Sequence, residues 1–491
     1  GPITYTIDGA PLVGKIPGKE NAFCIIGLRA GLGEGGGHGW LLAQQIVHGE
    51  ACYDTWCLDP RRFTTHANVE MTSLKAIEDY QNEFRFHFPH EHRPAARNAK
   101  TTPITPVMAK ENAEFIVING WERVEYIKPS EDFHPSLSFH FDEAFDIVAN
   151  EVKNVQNNVG LTEVNGFNRF EISGSDAENF IDRMFCGNIT HNIGRVGLGY
   201  LLNDFGMIKS EATISNLPSS DRGPKRMWYG SAAASEFHDM DWLKQHLKAD
   251  EEVEIKSLTN DQTILLLAGP NSREILSSCS REDWSKEAFP WLSVRECFIG
   301  FSPATVMSVS FSGELAYEVH VPNSFLYAAY QTISNAGKGF GMKLFGSRAV
   351  ESMRMEKGFL AWKSDLLTEF DPFESGLDRF VNLKKDNFIG KDALQNRIKN
   401  SPKQKLVCLK VSCKYAPAYG GASLMEDGKV VGTITSGDWG HRVNLNLAYA
   451  FVNPEKSELG TQMLLDLLGE MISVEVIPFG PYDSNFSRIL S

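Results

Sequence analysis

Glu211 is the first residue whose type and position could do chemistry. It lies in the strand-like segment "GMIKSEATIS", just after a glycine turn, where a carboxyl group could face a pocket. Burial there would raise the pKa of Glu211 and suit it to proton transfer. The alternative is an outward position in which Glu211 pairs with Lys209 or Arg226. Taken alone, the residues favour this alternative, because isolated glutamates mostly face solvent.

For Glu318 and Arg354, too, the sequence allows either a role in ligand binding or a structural or solvent-exposed position. Glu314 and Glu318 share one face of the strand-like "GELAYEVHVP", and one of them could accept hydrogen bonds from a planar ring rich in N–H groups. Solvation is the default for both. Arg354 interrupts the apolar face of the helical segment "VESMRMEKGF". It is either a buried cation that needs an anionic partner or a side chain that extends to solvent.

A glycine-rich run precedes a helical segment near the start of the chain. Seven of the thirteen residues in "GLRAGLGEGGGHG" are glycine, and the helix-like residues 40–47 follow. Glycines before a helix let the backbone approach a phosphate or a ring closely. The strand and acidic residue of a dinucleotide-binding unit are missing here. The run therefore predicts a loop that either lies near a ligand or makes a crowded turn.

Three histidines, His87, His90 and His92, lie close together in "FHFPHEHRPAAR". Two prolines interrupt the segment, no cysteine is near, and the spacing is not that of a helical zinc motif. We therefore expect no metal site. The alternating phenylalanines of residues 84–88 predict an edge strand with one apolar face.

Composition limits the classes of function. The 491 residues predict two to four domains. A net charge of −14 argues against a general binder of nucleic acid or anionic membranes. No run approaches the roughly 18 apolar residues of a membrane span. Eight scattered cysteines without a C-x-x-C motif favour reduced thiols. The start at Gly1 without a targeting segment predicts a chain that is processed, engineered, one piece of a split protein or only partly represented.

The pattern of elements predicts an α+β chain with several short antiparallel sheets. Residues 3–7 read as a strand, and Ser175 to Glu178 reads as a capping box that starts a helix. The turn at Gly206 predicts a hairpin that carries Glu211. From about residue 403 the chain predicts a small, mostly β domain.

These segments together resemble the dimethylglycine and sarcosine dehydrogenases over essentially the whole chain. "GPITYTIDGAPLVG", "GLRAGLGEGGGHGWLLAQQIVHGE" and "LDPRRF" resemble the end of that family's flavin domain, and "FHFPHEHRPAARNAKTTP" resembles its middle segment. "LLNDFGMIKSEATIS", "SGELAYEVHVP", "NFIGKDAL" and "KVVGTITSG" resemble its folate-binding half, which is related to the aminomethyltransferase of the glycine cleavage system. "SEFHDMDWL" is closer to the dimethylglycine branch.

The resemblance implies four regions. Residues 1–63 would be the C-terminal end of an FAD-dependent oxidoreductase domain, and 64–135 a middle β and connecting segment. Residues 136–400 would form the aminomethyltransferase-like folate-binding region, and 401–491 a C-terminal β-rich domain. The expected fold is thus α+β, with the tail of a flavin domain followed by a three-lobed ring around a folate channel.

The resemblance also implies the chemistry. An N-methyl amine would be oxidised at FAD, and the one-carbon unit would pass to tetrahydrofolate to give 5,10-methylenetetrahydrofolate. Glu211 matches the carboxyl group that assists proton transfer at the folate amine, and Glu318 matches the pterin-binding carboxylate. Phe311 stands where close relatives have tyrosine, so a hydroxyl contact is lost. Arg354 matches an arginine near the folate that holds either the structure or the charged tail of the ligand.

The FAD site would be only partly contained in this chain. The flavin-proximal loop would comprise five glycines: Gly31, Gly33, Gly35, Gly36 and Gly37. The implied partners are a methylated amine, the missing flavin-domain segment or subunit, and an electron acceptor such as an electron-transfer flavoprotein. Nucleic acid and a membrane span are not expected. The implied location is the mitochondrial matrix in a eukaryote or the cytoplasm in a bacterium.

A non-catalytic alternative stays open, because a regulator of pyruvate dehydrogenase phosphatase shares this architecture. The presence of both Glu211 and Glu318 favours the enzyme, since a regulator has no need to keep both carboxylates.

Overall fold

The computed structural model describes residues 3–219 and 225–491. The first part is a two-stranded hairpin, β1 (Leu12–Lys15) with β2 (Phe23–Ile26), followed by helix α1 (Gly31–His48). The prediction of a strand at residues 3–7 was wrong, because no described strand lies beside that segment to pair with its backbone.

The glycine-rich run is helical, and the prediction of a loop was wrong. Helix α1 begins at Gly31, so all of the run after its first four residues lies inside the first turns of the helix. Glycine costs about 1 kcal/mol relative to alanine in a helix, which weakens a helix without forbidding it. The apolar segment from Trp40 onward belongs to the same helix, which thus includes the glycines that precede it.

The middle segment contains two helices and one hairpin: α2 (Val69–Gln81), α3 (Thr105–Lys110), β3 (Ala113–Ile118) and β4 (Trp121–Ile127). Asn68 caps α2, because its side chain accepts a hydrogen bond from the backbone N–H of Met71. The edge strand predicted at residues 84–88 was wrong. Phe84 and Phe86 are exposed in an irregular segment, since Pro89 and the turns around it leave no regular partner for a strand.

Residues 140–400 alternate short helices and strands. In chain order these are α4 (Phe145–Asn157), β5 (Val159–Val164), β6 (Phe167–Ser173), α5 (Ala177–Met184), β7 (Val196–Leu202), β8 (Ile208–Leu217), β9 (Arg226–Ala233), α6 (Glu236–Gln245), β10 (Glu254–Ser257), β11 (Gln262–Ala268), α7 (Ser272–Cys279), β12 (Val294–Ile299), β13 (Ser302–Met307), β14 (Ala316–Pro322), α8 (Leu326–Gly337), β15 (Met342–Leu344), α9 (Ser347–Lys357) and α10 (Lys391–Arg397).

These strands form two sheets that pack on each other. The first sheet is antiparallel, with strand order β10-β6-β9-β8-β7. The second has the order β12-β13-β14-β11-β5-β15, and only β15 and β5 are parallel. Helices α5 and α6 bury apolar faces against the first sheet, and α7 and α8 bury theirs against the second. Trp228 of the first sheet and Met307 of the second belong to a core that joins the two.

Two local predictions in the first sheet had opposite outcomes. The hairpin is confirmed: β7 and β8 meet at Gly206, whose φ is +77° and where an added Cβ would lie 2.8 Å from the backbone nitrogen of Leu394. The capping box was wrong. The hydroxyl of Ser175 donates to Glu252, 2.9 Å away, so α5 begins without a side-chain cap.

The C-terminal region is the small β domain that the sequence predicts, and it is a closed barrel. Its strands are β16 (Lys405–Val411), β17 (Ser423–Glu426), β18 (Lys429–Gly440), β19 (Leu445–Val452), β20 (Gln462–Leu467) and β21 (Glu470–Ile477), in the order β16-β19-β18-β17-β20-β21. Helix α9 packs on the barrel, where the hydroxyl of Tyr449 donates to the carbonyl of Met355 at 2.7 Å. In the part of the chain that the structure describes, no helix is long and apolar enough to cross a membrane.

Candidate functional site

Glu211 is half-buried on β8 and has one hydrogen-bond donor in the described structure. The hydroxyl of Tyr200, its cross-strand partner on β7, donates to Oε1 at 2.9 Å. Burial raises the pKa of Glu211 to about 7; the hydrogen bond from Tyr200 opposes this shift, and the negative charge of Asp365 adds to it. Near neutral pH, this carboxyl group can therefore both donate and accept a proton.

The face of β8 that carries Glu211 looks toward the second sheet. Strand alternation places Glu211, Thr213 and Ser215 on one face. Ser215 fixes the direction of that face, because its hydroxyl lies 3.4 Å from Sδ of Met307 on β13. The outward, ion-paired position that the residues alone favoured for Glu211 is therefore not the one it occupies.

Glu318 lies on β14 of the second sheet and has the opposite electrostatic environment. Nε2 of His320, two residues along the same face, donates to Oε2 of Glu318 at 3.0 Å. Burial alone would raise the pKa of Glu318, but this hydrogen bond and the positive charge of Arg169 hold it below its usual value. Burial and the nearby Arg169 lower the pKa of His320 itself to about 4, so the imidazole acts on Glu318 as a neutral N–H donor.

Each of the two carboxyl groups keeps one oxygen available. Among the described residues, Oε2 of Glu211 and Oε1 of Glu318 have no hydrogen-bond partner. The two glutamates lie on sheets that face each other, and Arg169 of the first sheet acts electrostatically on Glu318 of the second. The two available oxygens differ in protonation state, and carboxyl oxygens are the acceptors that the N–H groups of a reduced pterin need.

Arg354 is buried, with 1% of its side chain exposed, and its guanidinium is satisfied within the protein. Nη1 donates to Asp365 at 2.7 Å, and Nε donates to Glu351 at 3.0 Å. Asp365 also accepts hydrogen bonds from the hydroxyls of Thr435 and Ser436 on β18, each at 2.6 Å. Of the two roles predicted for Arg354, these contacts favour the structural one, which positions Asp365 near Glu211.

Phe311 lies in the turn between β13 and β14 and is partly exposed. Its ring stacks on Phe359, with centroids 6.0 Å apart and an interplanar angle of 12°. The pair forms an apolar surface on the segment that leads into Glu318. A flat ring can stack on such a surface without the hydroxyl that tyrosine would have supplied.

The glycines of α1 lie on an open surface. A Cβ added at Gly33, Gly35, Gly36 or Gly37 would meet nothing within 4 Å, and at Gly31 only Leu28 comes that near. The helix also exposes large apolar side chains, including Leu32 and Val47. Glycines in open space and exposed apolar groups fit a helix that another surface approaches closely, so these residues fit one wall of a flavin site.

The histidine cluster is organised by a buried carboxylate. Nδ1 of His90 and Nε2 of His92 lie 2.7 and 2.6 Å from the two oxygens of Glu125. Among residues 3–219 and 225–491, no group of three or more potential ligands is arranged to hold a metal ion.

Sequence reasoning missed four residues that shape the site: Tyr200, Arg169, His320 and Asp365. The E-x-H spacing of Glu318 and His320 on one strand face was a usable signal. So was Arg169, a lone cation in the apolar strand "FNRFEISG". Tyr200 and Asp365 had no such signal, because their relation to Glu211 depends on strand pairing and on the docking of α9.

Comparison with known families identifies the domains of the chain. The profile of the GCVT N-terminal domain matches residues 104–385, and that of the glycine cleavage T-protein C-terminal barrel domain matches 404–483. The profile of the FAD dependent oxidoreductase central domain matches residues 48–102. The first of these covers more than half of the chain and includes both glutamates.

Two relatives and one solved structure show how far the similarity extends. Human mitochondrial dimethylglycine dehydrogenase is 32% identical over 97% of this chain and 55% of its own length. The mouse mitochondrial pyruvate dehydrogenase phosphatase regulatory subunit is 25% identical over 98% of this chain and 55% of its own. The chain thus spans about half the length of these relatives. The structure of the glycine cleavage system aminomethyltransferase T from Bartonella henselae matches with a TM-score of 0.67 at 20% identity, covering 78% of this chain and 98% of that one; it supports the three-lobed fold.

Proposed function

This chain belongs to the glycine cleavage T-protein family and carries in addition the central domain of an FAD-dependent oxidoreductase, and on that basis we propose that it is the folate-dependent half of an N-methyl amine dehydrogenase. Its task is to pass the oxidised one-carbon unit to tetrahydrofolate, giving 5,10-methylenetetrahydrofolate. The amine class is that of dimethylglycine and sarcosine.

The observation that carries the proposal is that the pKa values of two glutamates on facing sheets are shifted in opposite directions. Glu318, whose pKa lies below its usual value, offers a carboxylate oxygen to the N–H groups of the pterin edge. Glu211, whose pKa is about 7, exchanges a proton with the folate amine. Tyr200 orients the carboxyl group of Glu211 through its hydrogen bond to Oε1. The Phe311–Phe359 pair would offer an apolar surface on which the ring can stack.

The proposal includes an FAD site that this chain completes only in part. When bound, FAD would supply the oxidation of the N-methyl group. The chain contributes helix α1, whose exposed glycines permit close backbone approach, but no phosphate-binding fingerprint. The remaining wall would come from a further segment or subunit, and electrons would pass to an acceptor such as an electron-transfer flavoprotein. The mitochondrial relatives support a place in the mitochondrial matrix.

Calorimetric titration of this chain with tetrahydrofolate tests the proposal. We expect a Kd in the micromolar range or tighter, about −8 kcal/mol. Glu318→Ala should weaken binding by about 1.5–3 kcal/mol, the usual worth of hydrogen bonds to a charged group. Glu254→Ala, on the exposed end strand of the first sheet, is the matched control and should bind as the wild type does. Absence of binding, or equal affinity in the Glu318 variant, would refute the folate site.

A regulatory subunit is the second candidate, since one relative carries that name. Folate binding without any methylene transfer by the complete flavin-containing protein would favour it. Glu211 distinguishes the two functions. A carboxyl group that titrates near neutral pH is needed for proton transfer, whereas a regulatory binding site does not require one.

A further inference from the structure

Arg354 is not available to hold the charged tail of a folate, because Asp365 and Glu351 accept the hydrogen bonds of its guanidinium. A folate ends in a glutamate, whose carboxylates lie at the end of the molecule remote from the pterin. Arginine is the side chain best suited to bind a carboxylate, through two parallel hydrogen bonds. The tail therefore needs another cation within reach of the pterin site.

Arg123 on β4 is half-buried and has no carboxylate among its hydrogen-bond partners in the described structure. Nη2 donates to the backbone carbonyl of Asn165, and Nε has no partner among residues 3–219 and 225–491. Burial lowers the pKa of Arg123 to about 10, so the guanidinium stays charged near neutral pH although its surroundings do not favour the charge. A cation in this position needs an anion to compensate it.

Glu163 on β5 compensates the charge of Arg123 only in part. It acts electrostatically on Arg123 and opposes the downward shift of its pKa. Burial raises the pKa of Glu163 itself to about 7, so a large share of the molecules carry this group uncharged near neutral pH. A ligand carboxylate beside Arg123 would supply the missing negative charge.

A second cation, Lys100, lies at the same corner of the molecule. Its ammonium is 4.7 Å from the ring centroid of Trp121, and the guanidinium carbon of Arg123 is 5.1 Å from that of Phe167. The indole of Trp121 packs against Gly166, where an added Cβ would lie 2.7 Å from Cδ1. Burial also lowers the pKa of Lys100. Two cations thus flank the corner at which β5 leads into β6, each beside an aromatic ring.

This corner lies at a suitable distance from the pterin site. Glu318, Leu266 and Thr162 are direct partners on β14, β11 and β5, so two strand spacings, about 10 Å, separate Glu318 from β5. Asn165, whose carbonyl Arg123 binds, follows Thr162 by three residues, about 10 Å further along the chain. The resulting separation of roughly 14 Å is a distance that a pteridine joined to a p-aminobenzoyl group can span.

Phe167 lies between the two ends. It precedes Arg169 by two residues on β6, and Arg169 acts electrostatically on Glu318. The side chain of Phe167 is 37% exposed, so its ring offers an apolar surface on the way from the pterin site to the corner. A p-aminobenzoyl ring can stack on such a surface.

We propose that Arg123 binds a carboxylate of the glutamate tail of the folate, with Lys100 as a second positive charge beside it. The inference rests on the proposed function and deepens it, because it assigns the residues that distinguish a folate from a pterin without a charged tail. Arg123 is thus a specificity-determining residue of the folate site.

Calorimetric titration with two ligands tests this assignment: tetrahydrofolate, and its diamide, in which both glutamate carboxylates are carboxamides. The wild type should bind tetrahydrofolate roughly tenfold or more tightly than the diamide, since hydrogen bonds between charged groups are lost in the diamide. Arg123→Met should weaken tetrahydrofolate binding by roughly the same factor and diamide binding by less than about twofold. Arg123→Lys, which keeps the charge but loses the planar fork, should lie between Arg123→Met and the wild type.

Two control variants separate ligand binding from other effects. Arg281→Met, at an exposed arginine, should bind both ligands as the wild type does. Glu163→Gln removes the carboxyl group that acts on Arg123 within the protein, and it should bind tetrahydrofolate at least as tightly as the wild type. Weaker binding of tetrahydrofolate by Glu163→Gln would overturn the view that Arg123 awaits a ligand carboxylate.

Equal affinity of the wild type for the two ligands would overturn the inference, and this measurement needs no variant to fold. An equal loss of affinity for both ligands in Arg123→Met would also overturn it, because that result indicates a structural role. Binding of neither ligand would refute the folate site and this inference together. Weaker binding of both ligands by Glu318→Ala, with the ratio of their affinities unchanged, would support separate contacts for the pterin and the tail.

Discussion

Glu211 and Glu318 have the same side chain, lie on strands of facing sheets and are both half-buried, yet they differ in protonation. Burial raises the pKa of Glu211 to about 7, with one hydroxyl donor and the repulsive charge of Asp365 nearby. Glu318 is also desolvated, but the N–H of His320 and the cation Arg169 hold its pKa below the usual value. Both glutamates are desolvated, so burial does not explain the difference. The neighbouring hydrogen-bond donors and charges determine that Glu211 can act as an acid–base group and that Glu318 stays an ionised carboxylate.

The same difference makes the two groups contribute to stability in opposite ways. Folded Glu211 binds its proton more tightly than the unfolded chain does, so its contribution to stability is fully present below pH 4.5 and is lost as pH rises toward 7. The depressed pKa of Glu318 gives a contribution that is present above its unfolded pKa and is lost as pH falls.

Arg354→Met should produce the largest effect, a loss of stability together with a change in the surroundings of Glu211. It leaves Asp365 buried and without its cation, which costs about 3–5 kcal/mol of the free energy of unfolding and raises the pKa of Glu211 further. Urea unfolding measures the loss. Arg281→Met, at an exposed position, should change stability by less than about 0.5 kcal/mol. A loss below about 1 kcal/mol would show that the Arg354–Asp365 pair is not a structural link.

Glu211→Gln should slow methylene transfer by about a hundredfold or more while leaving tetrahydrofolate affinity nearly intact, because glutamine keeps the size of the side chain but cannot exchange the proton. The measurement compares 5,10-methylenetetrahydrofolate with free formaldehyde in the complete flavin-containing enzyme. The variant should oxidise amine normally while formaldehyde escapes. Glu254→Gln serves as the control. Wild-type rates in Glu211→Gln would exclude proton transfer by this residue.

Tyr200→Phe should widen the difference between the pKa values of Glu211 and Glu318. It should raise the pKa of Glu211, since the hydroxyl favours the ionised carboxyl group. Loss of one such hydrogen bond is expected to move the midpoint of the pH–rate profile upward by about one unit. Tyr327→Phe, at an exposed tyrosine, should leave the midpoint in place. A downward movement would mean that Tyr200 does not donate to Glu211 during the reaction.

The smallest effect is expected from pH on folate binding. Between pH 8 and pH 6, tetrahydrofolate affinity should change by no more than about twofold, because the pKa of Glu318 lies below this range. Over the same range the transfer rate should follow the titration of Glu211. Calorimetry at four pH values measures the first and stopped-flow kinetics the second. Parallel changes in affinity and rate would show that both glutamates titrate together.

The elements that carry the site could largely be predicted. The hairpin at Gly206, the strand of Glu318, helix α9 and the C-terminal β domain follow from alternation, helical periodicity and turn residues. The errors had local causes. The strands predicted at residues 3–7 and 84–88 had the right pattern but no neighbouring strand, and the glycines of α1 suggested a loop although each costs a helix only about 1 kcal/mol.

The sequence alone determined which side chains share a strand face, because the period of a strand is two: Glu211 with Thr213 and Ser215, and Glu318 with His320. Only the tertiary structure decided what those side chains do. The packing of one sheet on the other desolvates both glutamates and brings Arg169 toward Glu318, and the docking of α9 on the barrel brings Asp365 toward Glu211. A pKa depends on burial and on charges that are close in space, and the local sequence determines neither of these.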